Sequence, residues 1–350
     1  MRIFVINPGA TSTKLAVFED ERPVWSRTVE HSEADLRPYA RVVDQLPYRR
    51  ALIEEALRAG GFRMADFDAV AARGGLLRHI PSGTYAVNDR MLHDIYEPPY
   101  GEHASNLGAV LARELADEAR IPAYITDPVC TDELTEVARV TGLKGMERQS
   151  FFHALNQKAM ARRAAAQLGK PYEALRLIVV HMGGGVSVAA HDCGRVVDVY
   201  NVKDEGSFSM DRGGSLPVNA LVNLCFSGKT KAEVKKLLGS EAGVYSYLGT
   251  RDFRAVEDRA FSGDAEARLI FDALVYQHCK DIGAMGAVLS FRVDGIVLTG
   301  GMANSKRLCA AITERVGALA PVLVLPGEAE MEALALGALR VLRGEPAREY

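Results

Sequence analysis

No Cys-x-x-Cys pair occurs among the five scattered cysteines, Cys130, Cys193, Cys225, Cys279 and Cys309. That spacing argues against a zinc site or a disulfide framework and for a reducing compartment. No long apolar segment precedes the first strand, so neither a signal peptide nor a membrane span is expected, and the chain reads as cytoplasmic. A basic arm is missing too. The formal net charge is −3, and Lys229-Thr230-Lys231 and Lys235-Lys236 read as solvated helix charge. No nucleic acid partner is expected, and an anionic substrate has to be held by local groups. The glycines at 300 and 301 do not form Gly-x-Gly-x-x-Gly, which weakens a dinucleotide-binding reading. What is present is ordinary globular composition, 48% hydrophobic and 25% charged, over 350 residues, a length comfortable for two domains.

The first eighteen residues organise the rest. Ile3-Phe4-Val5-Ile6 predicts a strand, Asn7-Pro8-Gly9-Ala10-Thr11-Ser12-Thr13 a small polar turn, and Lys14-Leu15-Ala16-Val17-Phe18 the returning strand. Such a loop lets backbone N–H groups and hydroxyls converge on an anion, although a plain hairpin turn is the commoner reading of the stretch alone. A second copy stands about half a chain away. Leu177 to His181 predicts a strand, Gly183-Gly184-Gly185 a loop, and Val186 to Ala190 a strand that turns at Asp192-Cys193-Gly194. The repetition indicates duplicated domains whose hairpins face one another and hold the phosphates of one nucleotide from two sides.

Between and beyond the hairpins lie further candidates. Arg73-Gly74-Gly75 follows the strand Ala69 to Ala72, and Arg212-Gly213-Gly214 repeats the theme in the second half. Each is open to two readings, a surface turn or an anion site, and together they suit a ligand with two anionic ends. Asp127 ends the strand Ala123 to Thr126, where it either caps a turn or serves a ligand. His153 sits at the N-terminus of a helix from Ala154 to Leu168, as a cap, a packing residue or a functional group. Gly300-Gly301-Met302-Ala303-Asn304 joins a strand from Asp294 to a helix, a setting that permits close approach of a nucleotide. Glu328 to Leu342 predicts a last helix with acids in its first turn, either dipole partners or metal-positioning groups.

The run Ile6-Asn7-Pro8-Gly9-Ala10-Thr11-Ser12-Thr13-Lys14 resembles the N-terminal signature of the acetate and butyrate kinase family, within the sugar kinase/Hsp70/actin superfold. The resemblance runs in order along nearly the whole chain. Asn-Pro-Gly and Gly183-Gly184-Gly185, in place of Gly-Asn-Gly, are similar to the butyrate kinase branch. It implies an α/β fold of two RNase H-like domains, residues 1–148 with 331–350 and residues 149–330, with the active site in the cleft between them. It further implies that Asn7 and Ser12 contact the phosphoryl region. Arg73 and Arg212 flank the carboxylate and the transferring phosphoryl, and His153 lies near the transition state. Gly74, Gly75 and Phe152 belong to the substrate side. His181 lies near the nucleotide phosphates, Asp252-Phe253-Arg254 on the adenosine side, and Gly183, Gly184 and Gly185 bind the nucleotide with Gly300, Gly301, Met302 and Asn304, which form the glycine-rich nucleotide loop. Asp127 and Glu330 organise Mg2+. Two departures stand out: Ala10 where acetate kinases usually carry Ser, and Glu330-Met331-Glu332 where they carry a Glu pair. Glu330 is preferred because Ala333 and Ala335 then align.

The implied reaction is reversible phosphoryl transfer between ATP and a short-chain carboxylate, giving ADP and an acyl phosphate, in a homo-oligomer. Acetate kinases typically carry two valines where Gly74 and Gly75 stand, so the glycines predict a roomier acyl pocket, each added methylene contributing about 0.8 kcal/mol. Glycine required for positive φ is the alternative. Rival readings are an acetate or propionate kinase, a nucleotide-binding sensor ATPase, and a sugar kinase. The last needs a base toward a neutral hydroxyl, whereas paired arginines favour an anionic acceptor.

Overall fold

The apolar run at the N-terminus becomes β1 (Arg2–Pro8) in a computed structural model that describes residues 1–350. Ile3, Phe4, Val5 and Ile6 are all 0% exposed. A strand covered on both faces needs no polar alternation, which is why four apolar residues stand in a row. The chain forms two compact units, Met1–Asp132 with Ala329–Tyr350, and Glu133–Glu328.

In the first unit β2 (Ser12–Glu19) pairs antiparallel to β1 and β3 (Arg22–Glu30) antiparallel to β2. β4 (Ala69–Ala72) runs parallel to β1 and β6 (Ala123–Thr126) parallel to β4. β5 (Thr84–Ala86) closes the far edge, giving the order β3-β2-β1-β4-β6-β5. The helices Leu107–Ala119 and Glu330–Leu342 both pack on β1, β4 and β6. The last helix therefore returns to the first sheet. Its Gly337 passes so close to β6 that a Cβ there falls 2.1 Å from Thr126 Oγ1.

The second unit repeats the plan. β7 (Arg176–Met182), β8 (Val186–Asp192) and β9 (Arg195–Tyr200) form an antiparallel meander, with β10 (Gly295–Gly300) and β11 (Val322–Pro326) parallel to β7. Its order, β9-β8-β7-β10-β11, is that of β3-β2-β1-β4-β6. Each unit is thus RNase H-like, and the α/β fold is the actin/Hsp70 type.

Two expectations shift. Both strands of the first hairpin run further into the polar segment: Asn7 pairs with Lys14 and Pro8 with Thr13, which leaves Gly9-Ala10-Thr11 as the turn. The division between units falls at 132/133 and 328/329 rather than at 148/149 and 330/331. The segment after Asp132 belongs with the second unit because Thr135 N–H donates to Val197 O at 3.1 Å and Arg148 binds Asp198 at 2.8 Å and Glu205 at 2.9 Å.

Candidate active site

In the first unit, the C-terminal end of β1 and the residue after β4 meet the first turn of the last helix. Asn7 Nδ2 donates to Glu330 Oε2 at 2.8 Å, and Arg73 Nη1 reaches the same oxygen at 3.3 Å. Asn7 is buried, while the Arg73 side chain stays one-third exposed (33%). The guanidinium is thereby held at a strand end by a carboxylate in the first turn of the last helix. Asp127, just past β6, lies in left-handed backbone (φ 40°), buried, with Oδ1 accepting from Ser82 Oγ at 2.6 Å and Gly83 N–H at 2.8 Å. It staples a loop, so the turn reading of Asp127 is correct as far as Oδ1 goes. In both acids every one of these bonds falls on one carboxylate oxygen.

The roomier-pocket argument for Gly74 and Gly75 fails on geometry. A Cβ on Gly75 falls 2.1 Å from Asn106 Oδ1 and 2.5 Å from Asn106 Cα, and one on Gly74 falls 2.7 Å from Pro128 Cβ. These glycines let the chain after β4 lie against the segment before the helix Leu107–Ala119, where Asn106 Oδ1 accepts from Leu76 N–H at 2.8 Å. Neither residue needs positive φ. Close approach is the reason for glycine, and no side-chain space opens toward a longer acyl chain.

The turn Gly9-Ala10-Thr11 is held from behind by a residue the sequence did not flag. Arg49, on the helix Leu46–Ala59, is 1% exposed and donates to Gly9 O at 3.0 Å, Ala10 O at 3.1 Å, Thr13 Oγ1 at 3.1 Å and Gln45 Oε1 at 3.0 Å. All are neutral acceptors, so the buried cation adds positive potential under the turn. His31 Nε2 lies 2.8 Å from Thr13 Oγ1, and burial, then Arg49, holds its pKa down at about 4. Ser12 begins β2, and its carbonyl accepts from Gly9 N–H at 2.7 Å. His103 caps the turn Ala104–Asn106, where its Nδ1 accepts from Ser105 N–H at 3.2 Å. Burial, then the Arg73 charge, lowers its pKa.

In the second unit, a pocket of about 300 Å³ is lined by Gly183, Gly184, Asp252, Phe253, Arg254, Gly301, Met302 and Asn304, together with Met210, Arg251, Glu257 and Ser305. Eight of the expected nucleotide residues thus meet. Asp252 caps the helix Phe253–Phe261, accepting from Arg254 N–H at 2.9 Å. Gly185, Gly300 and His181 lie outside this lining, and Ser12 belongs to the first unit; the two glycines are set by packing. A Cβ on Gly300 (φ 89°) falls 2.3 Å from Met182 O, and one on Gly185 falls 2.6 Å from Val202 Cγ2 and 3.0 Å from Arg212 Nη1. Arg212 lies over Gly185 and donates from Nη1 to Val202 O at 3.0 Å. Phe152 is not at a ligand surface. It is 0% exposed in a cluster with Leu134, Ala189, Val196 and Val199. His153 and His181 stack with centroids 3.8 Å apart.

Residues 141–322 match the model of the Acetokinase family. The whole chain is 50% identical over 352 residues to Butyrate kinase 1 of Clostridium acetobutylicum, covering 100% of this chain and 99% of that one. The chain belongs to the acetokinase family. Among solved structures the fold is similar to Porphyromonas gingivalis acetate kinase, with TM-score 0.77 at 18% identity over 98% of this chain and 99% of that one. It is similar also to a propionate kinase of Francisella tularensis, with TM-score 0.74 at 16% identity over 96% and 98%. Full-length agreement within the family extends to both units, so neither sheet is an appended module. No helix is long and apolar enough to cross a membrane.

Proposed function

We propose that the protein transfers a phosphoryl group reversibly between ATP and a short-chain carboxylate, butyrate or a branched analogue, giving ADP and an acyl phosphate. The observation that carries the reading is full-length kinship to a butyrate kinase at 50% identity. The Arg73–Asn7–Glu330 cluster supports it, since it sets a cation at a strand end. The preference for four carbons rests on kinship, because the glycines after Arg73 offer no acyl pocket.

The carboxylate acceptor is ionised at pH 7, and its oxygen is the nucleophile, so no strong base is required. The difficulty is electrostatic. An anionic acceptor has to approach an anionic triphosphate, and the equatorial oxygens gather charge as the bond to the β,γ-bridging oxygen breaks. Arg73 and Arg212 present planar forks to those oxygens, and the Asn7 amide adds a neutral donor. His153 donates to the phosphoryl, and His181, Gly183 and Gly184 take the nucleotide phosphates, with adenosine in the pocket beside Asp252 and Arg254. Mg2+ fits the donor set, since hard carboxylate oxygens on Asp127 and Glu330 suit an ion that takes few protein ligands and keeps waters. When bound, it would supply neutralisation of the phosphate charge.

The same reading includes a homo-oligomer in the cytoplasm. The helix Val218–Cys225 buries none of its residues, and Val218, Val222 and Phe226 are exposed around it, a patch that supports contact with a second copy and that sedimentation tests. The reaction itself is tested by trapping acyl phosphate as hydroxamate with ATP and magnesium over acetate, propionate, butyrate, isobutyrate and a sugar panel. Butyrate or isobutyrate should lead. Sugar phosphorylation without hydroxamate overturns the reading, and an acetate lead overturns the chain-length part.

A further inference from the structure

Behind His153, in the second unit, runs a buried line of polar groups that none of the roles above uses. Its direction is set by one fixed acceptor. Gln157 Nε2 lies 3.1 Å from the backbone carbonyl of Ser187, which can only accept, so the amide nitrogen faces β8 and its other hydrogen points at Ser187 Oγ, 2.8 Å away. Gln157 Oε1 then faces His191 Nε2 at 3.1 Å and has to receive a proton from it. His191 is wholly buried, and desolvation, with Lys158 and Arg162 nearby, holds it neutral. With hydrogen on Nε2, its Nδ1 accepts from Tyr172 OH at 2.7 Å.

At the other end Ser187 Oγ already accepts from Gln157, and His153 N–H approaches it at 3.5 Å. Its own hydrogen has one partner left, His153 Nδ1 at 2.9 Å. An imidazolium, or a Nδ1–H tautomer, would turn Nδ1 into a donor against an oxygen already receiving donors and would strand the hydroxyl hydrogen in a buried site. Every link therefore donates the same way: Tyr172, His191, Gln157, Ser187, His153. The stacked partner is wired oppositely. Asn156 Nδ2 donates to Gly327 O at 3.3 Å, which turns Asn156 Oδ1 toward His181 Nδ1 at 2.7 Å and makes that nitrogen the protonated one.

We propose that His191, Gln157 and Ser187 are positioning residues that fix His153 as the neutral Nε2–H tautomer, so that it meets the phosphoryl as a hydrogen-bond donor without carrying charge. The chain itself stands on geometry; that its end faces a phosphoryl rests on the reaction proposed above. The sequence places the parts by simple periods: Gln157 lies one turn beyond the cap residue His153, and Ser187 and His191 share one face of β8.

The test is side-chain 15N NMR of full-length protein at pH 7, with His153→Gln assigning the ring, beside kinetics on butyrate and ATP. Wild type should show His153 Nε2 protonated and Nδ1 bare. Ser187→Ala should mix the tautomers and lower kcat at least about 10-fold with KM nearly unchanged, and Ser187→Thr should restore both. Gln157→Glu, which can only accept, should draw the Ser187 hydrogen to itself and invert the His153 tautomer. Should that buried charge prevent folding, the Ser187 pair decides alone. A wild-type ring protonated on Nδ1 or on both nitrogens, or a tautomer untouched by Ser187→Ala, overturns the proposal. The expected tautomers without carboxylate kinase activity would uphold the chain and overturn the reaction.

Discussion

Arg-Gly-Gly occurs twice, and the two copies have different physical causes. After β4, both glycines are buried under contacts that leave no room for a Cβ, and the arginine is paired at 3.3 Å with Glu330. In the second unit, Gly213 meets only ordinary contacts, the nearest at 3.6 Å, whereas Gly214 is in left-handed backbone at φ 61° with a Cβ 2.6 Å from Gly206 O. Arg212 there leans on a carbonyl and on Gly185, with Asp211 no nearer than 3.9 Å. One tripeptide thus serves close packing with a carboxylate-held cation, and the other a loop reversal with a carbonyl-held one. Identical short motifs do not share a structural cause merely because they share a sequence.

The comparison breaks most sharply at the cations. Arg73→Ala and Arg212→Ala should each lower kcat/KM by about 10²-fold or more while folding is retained, as expected for lost transition-state charge stabilisation. Arg73→Ala should also release Glu330, so its magnesium dependence should change where that of Arg212→Ala does not. Near-normal turnover removes the arginine concerned from the site.

Next come the glycines. Gly75→Val is expected to cost about 1–3 kcal/mol or more by overpacking against Asn106. It should depress acetate and butyrate kcat/KM equally, so a changed ratio would revive an acyl pocket there. Gly214→Ala should cost more than the about 1–2 kcal/mol of left-handed backbone, since its Cβ also meets the backbone at Gly206 O. Denaturant melts of both variants read these values.

Acidification should separate the two units less strongly. In the second, burial holds His278 at about 4 and His191 well below its usual 6.5; in the first, His31 is held at about 4. These bases are neutral when folded and bind protons more readily when unfolded, so their contribution is complete above pH 6.5 and is lost as pH falls toward 4. Melts at intervals across that window should fall progressively, and His278→Leu should flatten the fall. The smallest effect is the control, Gly213→Ala, expected to change stability by no more than about 0.5 kcal/mol.

Much of the fold was legible because it rests on apolar runs with glycine punctuation. β1, β7 and β10 are covered on both faces and read as unbroken hydrophobic stretches, and their repeat announced two like sheets. What stayed hidden depends on long-range contact. Arg49 looks like any helix arginine until the helix Leu46–Ala59 sets it under the turn at Gly9, 40 residues earlier. Phe152 looks like a ligand neighbour beside His153, yet strand alternation on β8 and β9 closes a core over it. The Gly75 clash needs Asn106, which no local pattern connects to it.

The central claim, carboxylate phosphorylation by ATP, is tested most directly in reverse by 31P NMR of butyryl phosphate with ADP and magnesium. The account predicts that the acyl phosphate resonance falls as an ATP γ-phosphate resonance rises in equal amount, and that Arg73→Ala and Arg212→Ala slow both together. Decay of butyryl phosphate to inorganic phosphate with no ATP formed would contradict it.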